Sequence, residues 1–549
     1  MATFVASVES QAVSGRAGCW AKERGFAVLV VSALTLFALA ADGYHPYAED
    51  GGLYMAGVKR LLDPAMYPRG TAFVLEPMRR SLFAPAIAGM ARALDMTPEA
   101  GTHRGLPLLL LALHLASVWL TLFAGWLLAA RCWPGRNGGS AARAGAVVLL
   151  ACWLALPVAG TALLLMDPYL TARSFSTPAM VLALVGALDM TKGAGTDAKQ
   201  RRRGVYLWAG SIALAATMHP LMAAYAFGAT LMLSCMRSPR RSVQGWGTAA
   251  LGVSAVALAQ TLQMTTKPES ADYLRVAMTR TYWFPAAWSW YELAGLAAPL
   301  AILTIFAWGR RSMTARHESA PRNSADRALT RMAVTVGATA WMVAALFARA
   351  GAATHLVARM QPLRAFQIVY LVMLLVLGAM LGERMLGRSA WRWAAAMVLL
   401  GGAMLGAERT AFPGSNHLEM PWVEARNPWV QAFLWVRANT PKDALFALDA
   451  DYINAPGEDA QCFRAIAERS ALPDYSKDGG EASIAPEMTP AWMSGQAAQR
   501  GLSALATTDR ERVAALGRLG VTWVVLQAGA ATSFDCPYAN AAVRVCRLG

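Results

Sequence analysis

Long apolar stretches separated by short polar turns fill the chain up to residue 407. The first is GFAVLVVSALTLFALAA at 25–41, and ten more follow at about 105–130, 144–166, 176–190, 205–218, 221–236, 244–263, 288–308, 329–350, 363–381 and 391–407. Crossing a hydrocarbon core takes about 20 apolar residues in a helix. The pattern therefore predicts an all-α polytopic membrane domain of about eleven transmembrane helices over 25–407, with 176–190 and 205–218 borrowing length from their flanks. The 42–104 segment between the first two stretches is a loop on the membrane surface. Within it, Tyr54, Val58 and Leu61 of GGLYMAGVKRLL recur at helical spacing and predict an interfacial helix.

Beyond residue 407 the pattern changes. The 408–549 tail holds no stretch long enough to span a bilayer, and its local signals predict a small α/β domain. Asn427 followed by Pro428 starts a helix through NPWVQAFLWVRANTP, and ALFALDA at 444–450 reads as a strand. DRERVAALGRLGVTWVVL reads as a helix, a stop at Gly520 and a buried strand at 521–527. Pro473, Gly479, Gly480, Pro486 and Pro490 mark 468–500 as a loop region.

Composition agrees with this pattern: 56% of residues are hydrophobic and only 15% charged, too apolar for an ordinary soluble protein of 549 residues. The net charge of +16 is spread over short turns, namely Arg131 and Arg136, KQRRR at 199–203, RSPRR at 237–241, GRRSMTAR at 309–316 and GERMLGR at 382–388. That distribution satisfies the positive-inside rule without a nucleic-acid partner, and makes anionic membrane lipids the neighbours of these arginines. It places the basic turns and residues 1–24 in the cytoplasm. An odd number of spans then sends 42–104 and the tail to the opposite face of a bacterial inner membrane, periplasmic or extracellular. The residues after the first stretch lack a signal-peptidase pattern, so it is read as an anchored helix.

Candidate chemistry clusters on that outer face. HPYAEDGGLY carries His45, Glu49 and Asp50 just beyond the first span. Asp50 suits the N-cap of the following helix, and a carboxylate there also suits accepting a proton from a hydroxyl or holding a divalent cation against a phosphate. Adjacent acids on a helix point about 100° apart, so one catalytic and one structural member are expected. MDPYLTARSFSTP at 166–178 adds Asp167, which can share a cavity and a metal with Asp50, and Arg173, a phosphate-binding candidate. His219, next to Pro220, interrupts two short apolar runs, as expected of a residue lining a wet cavity. Glu292, His355, Arg359 and Arg364 complete the substrate or lipid-phosphate candidates, since outer-face arginines require anionic partners.

Among the cysteines, Cys536 and Cys546 are the disulfide candidate in the exported tail, with Cys462 as an alternative partner for either. No HExxH, Walker A or GxGxxG motif occurs, which leaves nucleotide-driven transport unsupported.

The multipass body, the acidic first outer loop with its interfacial helix and the exported carboxyl-terminal domain together resemble the GT-C superfamily of membrane glycosyltransferases. The resemblance extends to bacterial multipass proteins with HPYAEDGGLY-like, DPYLTARSFS-like and FRAIAERS-like segments. It implies transfer of a sugar from a polyprenyl-phosphate-linked donor to an external hydroxyl on a cell-envelope glycan or protein. Glu49 or Asp50 would be the first-loop catalytic acid and Asp167 the second-loop acid. The residues leave two alternatives open: a secondary transporter or lipid-handling protein, favoured by proline-interrupted spans, and a noncatalytic envelope assembly scaffold.

Overall fold

The computed structural model describes residues 25–96, 105–134, 139–191, 198–308 and 324–548. The 1–24 segment, Arg136 and the 309–316 stretch lie outside the described residues. Each apolar stretch contains a helix: Gly25–Asp42, Gly105–Cys132, Gly139–Cys152, Ala172–Met190, Ala198–Met218, Pro220–Arg237, Thr248–Thr265, Trp290–Trp308, Ala325–Phe347, Phe366–Met380 and Ala390–Ala411. Among the described residues, six helices are long and apolar enough to cross a membrane. The protein is thus a multipass membrane protein, with further helices in the remaining apolar stretches that are shorter or less apolar than these six.

The 144–166 stretch departs from its predicted span. Its helix stops at Cys152, and Pro157–Val158 pairs antiparallel with Leu163–Leu164 as a short ribbon. Pro157 has no N–H for a helix to use. Gly160 turns the ribbon at φ 69°, and a Cβ there would come within 2.3 Å of the Trp288 ring.

Helices that begin on the face carrying the carboxyl-terminal domain end in basic turns on the other. Ala172–Met190 runs from Arg173 to Asp189, which pairs with Arg131 at 3.0 Å, and Pro220–Arg237 runs from His219 to Arg237.

The tail folds as a mixed five-stranded sheet. The strand order is Ser470–Ala471, Leu445–Ala447, Trp523–Gln527, Val543–Arg547 and Tyr538–Ala539; the first three are parallel and the last two antiparallel to their neighbours. Asn427 caps Pro428–Asn439 by accepting from Trp429 N at 2.9 Å. That helix buries Trp429, Phe433 and Val436 against Phe446 and Val525 on one sheet face, while Leu516 packs with Val524 and Leu526 on the other. A disulfide joins Cys536 and Cys546, and Cys462 is buried and free.

The predicted 468–500 loop is instead a strand and two helices, Lys477–Ile484 and Thr489–Gln499. Pro486 opens a 3-10 turn and Pro490 sits in a first helical turn, where a missing N–H costs nothing.

The first loop and the tail are stitched together by backbone. Glu49 N donates to Ala460 O at 2.7 Å and Cys462 N to Tyr47 O at 3.0 Å. Lys59 Nζ donates to Ala465 O at 2.7 Å and pairs with Glu468. Both segments therefore share one face of the membrane body.

Candidate active site

Where the first loop, the second loop and the tail meet, they enclose a cavity of about 790 Å³. Its floor is built from helix starts. Glu49–Leu62 begins with the two acids, and Ala48 occupies its N-cap, so Asp50 is not the cap that its position suggests. Glu49 has φ 50°, a left-handed conformation uncommon for a side chain with Cβ. Both carboxylates reach one cation, Lys477, although adjacent residues of a regular helix point about 100° apart.

Gly51 and Gly52 make the close approach possible. A Cβ on Gly52 would lie 2.1 Å from Cys462 Cβ and 2.3 Å from Tyr47 O; one on Gly51 would lie 2.8 Å from Tyr169 Cβ.

Asp50 is held from two sides. Its Oδ2 accepts from Arg173 Nη1 at 3.0 Å and its Oδ1 from Lys477 Nζ at 3.1 Å. Arg173 in turn donates from Nε and Nη2 to Asp167 Oδ2 at 3.2 and 2.9 Å, and Thr171 Oγ1 donates to the same oxygen at 3.0 Å. Burial alone would raise the Asp50 pKa, but the Lys477 ammonium and then the Arg173 guanidinium hold it far below the usual carboxylate range. Asp167, one layer deeper, is raised by burial despite Arg173. The cavity thus presents an ionised acid at its surface, backed by a guanidinium that a second acid orients.

Arg80, Arg173, Arg280, Arg359, Arg364 and Lys477 line the cavity against the carboxylates of Glu49, Asp50, Glu76 and Glu481. Most of these cations are engaged: Arg280 donates to the carbonyls of Ser476 and Tyr475, and Arg359 to Ile484 O at 3.3 Å. Arg359 Nε and Arg364 Nε are both buried without a hydrogen-bond partner, but Arg359 has its Ile484 contact, whereas the Arg364 guanidinium has no hydrogen bond or ion pair among the described residues. Burial pushes the His219 pKa down to about 3, with Arg364 and Arg173 adding to the effect, so its imidazole is neutral. Burial raises Glu481 to about 8 against the opposing charge of Arg80, which makes it a proton-bearing carboxyl at neutral pH.

Of the predicted residues, Glu49, Asp50, Arg173, His219, Arg359 and Arg364 line the cavity, and Asp167 braces it from behind. Three lie elsewhere. His45 stacks on Phe412 at 4.0 Å and faces Glu419 at 3.5 Å, drawn inward because its backbone N–H bonds Pro168 O. His355 is locked between Glu269 at 2.8 Å and Ala350 O at 3.1 Å, a structural post. Glu292 accepts from Ser289 N at 2.8 Å, capping its own helix.

Sequence reasoning missed Lys477 and Glu481, both in the segment read as loop. The signal was there: KDGGEASI places charges three to four residues apart, with glycines that let Arg280 and Trp492 come close to Gly479.

Among the described residues no group of three His, Cys, Asp or Glu side chains stands close enough to hold a metal. A cation between Asp50 and Asp167 would have to displace Arg173, which already occupies that position.

The fold and the cavity describe a polytopic membrane protein whose polar chamber is closed by an α/β domain. Comparison with solved structures finds three examples similar to it. They are the oligosaccharyltransferase AglB of Archaeoglobus fulgidus, in complex with an inhibitory peptide and a dolichol-phosphate (TM-score 0.41, 12% identity, 92% of this chain and 70% of that one), the arabinofuranosyltransferase AftD from Mycobacteria (0.44, 14%, 96% and 41%) and ArnT from Cupriavidus metallidurans (0.37, 12%, 96% and 98%). At these scores and identities the likeness carries no argument about chemistry, which has to come from the cavity's own residues. No protein-family model and no curated protein matches the chain.

Proposed function

We propose that the protein is a membrane glycosyltransferase that moves a sugar from a polyprenyl-phosphate-linked donor to a hydroxyl acceptor on the outer face of a bacterial inner membrane. The observation that carries this reading is the juxtaposition of ionised Asp50 with a cation-rich wall that includes Arg364, all inside one cavity large enough for a sugar phosphate. Arg364 and Arg359 would receive the donor phosphate, and His219 and Glu481 would supply neutral hydrogen-bonding groups for sugar hydroxyls.

In the reaction the acceptor oxygen forms a bond to the anomeric carbon while the bond from that carbon to the phosphate oxygen breaks. The bonding electron pair leaves on the phosphate, and Asp50 takes the acceptor proton. Asp50 in its present double ion pair is too weak a base to do this well, because proton transfer is most effective when pKa lies near working pH. A donor phosphate that draws Lys477 and Arg173 toward itself would raise Asp50 into a useful range. Donor binding and base activation would then be one event. No step in this reading is routed through a metal.

The test is turnover by purified protein supplied with a panel of isoprenoid-phosphate sugars. Loss of a general base commonly costs about 10²–10⁴-fold, so Asp50→Asn is expected to lose at least a hundredfold in rate while keeping its fold. Turnover unaffected by Asp50→Asn overturns the role of Asp50. Solute uptake into sealed vesicles without turnover would favour the transporter reading instead.

A further inference from the structure

Asp167 faces two ways. Its Oδ2 serves Thr171 and Arg173, whereas its Oδ1 is buried and has no hydrogen-bond partner among the described residues. Asp167 also lines a second, small space of about 10 Å³, together with Asp42, His114, Val118, Leu154 and Met166. Asp42 closes the first membrane helix, His114 belongs to Gly105–Cys132, and Asp167 comes from the second loop. Asp42 Oδ1 and His114 Nδ1 share the condition of Asp167 Oδ1: buried, with no hydrogen-bond partner among the described residues. The three side chains are 7%, 3% and 4% exposed.

Buried polar atoms are almost always hydrogen-bonded to protein or to ordered water. Here three residues from three elements, each carrying such an atom, line a space of roughly one water-sized sphere, and a buried water needs two to four polar partners. We propose that this space is the seat of one ordered water shared by Asp42, His114 and Asp167. Water donates only two hydrogen bonds, so at least one of the three groups donates to it.

A cation fits less well. Divalent ions draw ligands in to roughly 2.0–2.6 Å, and these side chains do not stand that close together. The seat gives Asp167 a partner for its second oxygen, which fixes the carboxylate in rotation and keeps Oδ2 on Arg173. The water is thus the rear support of the Arg173–Asp50 pair. This assignment does not depend on which reaction the cavity performs.

The experiment is a structure of the full chain in lipid, at a resolution that shows ordered water, together with thermal unfolding of Val118→Ile. In the wild type we expect a peak at hydrogen-bond distance from Asp42 Oδ1, His114 Nδ1 and Asp167 Oδ1. A peak at metal-coordination distances, or no peak with the three side chains bonded directly to one another, overturns the proposal. Val118→Ile puts an extra methylene at the wall of the seat. If a water is held there, its displacement strands three polar atoms and the unfolding midpoint falls. In a dry space the methylene fills a void, and a midpoint that is unchanged or higher would count against the water.

Discussion

At the scale of single residues, the site turns on how strongly Asp50 is paired. Its depressed pKa contributes stability that is fully present above the ordinary carboxylate value, about 3.9, and is lost as pH falls through the lower value of the folded protein. Lys477 is the larger of the two cationic causes. Lys477→Met is therefore expected to bring the acid-side loss of stability to higher pH, measured as unfolding midpoint against pH. In the same variant Asp50 becomes more basic before donor binds, so the acid limb of the pH–rate profile is expected to move upward. An unmoved limb would mean that Lys477 does not govern Asp50.

At the scale of elements, the first-loop helix is positioned by what its glycines omit. Gly52 leaves no room for even a methyl between Cys462 and Tyr47 O, one of them backbone that cannot rotate away. Overpacking of this kind typically costs about 1–3 kcal/mol. Gly52→Ala is accordingly expected to lower the unfolding midpoint and to loosen the first loop from the tail, seen as faster proteolysis of the 408–548 region. Gly89 has open space at its Cβ and serves as the control: Gly89→Ala should leave both measurements near wild type.

Much of this element-level structure was legible in the sequence. The Asn427–Pro428 helix start, the strand ending at Gln527 and the first-loop helix through Tyr54, Val58 and Leu61 follow from capping, periodicity and turn chemistry, which act over a few residues. The two misreadings, 144–166 and 468–500, have separate causes. Apolar content cannot distinguish a helix from a buried ribbon, and prolines that begin helices look the same in sequence as prolines that end them.

At the scale of the molecule, the tail forms part of the chamber wall. Lys477 and Glu481 lie more than four hundred residues beyond Asp50, and Arg280 ties their segment to the membrane body through the Ser476 and Tyr475 carbonyls. Because the first loop and the tail share backbone hydrogen bonds, single cysteines placed at exposed Leu94 and at exposed Trp422 should label from the same side of sealed vesicles. The basic-turn position Arg240 should label from the other. Labelling of the loop and the tail from opposite sides would dismantle the chamber and the reaction proposed for it.

By itself the chain's pattern determined that it is a helical membrane body with an α/β tail, and it singled out Asp50, Arg173 and Arg364, because hydrophobic period and out-of-place charge are local properties. Tertiary structure alone decided that Lys477 reaches both first-loop acids, that Asp167 stands behind Arg173, and that His45, Glu292 and His355 serve the scaffold. Those outcomes depend on which distant segments come to share a low-dielectric space, and on which ion pairs form as they do.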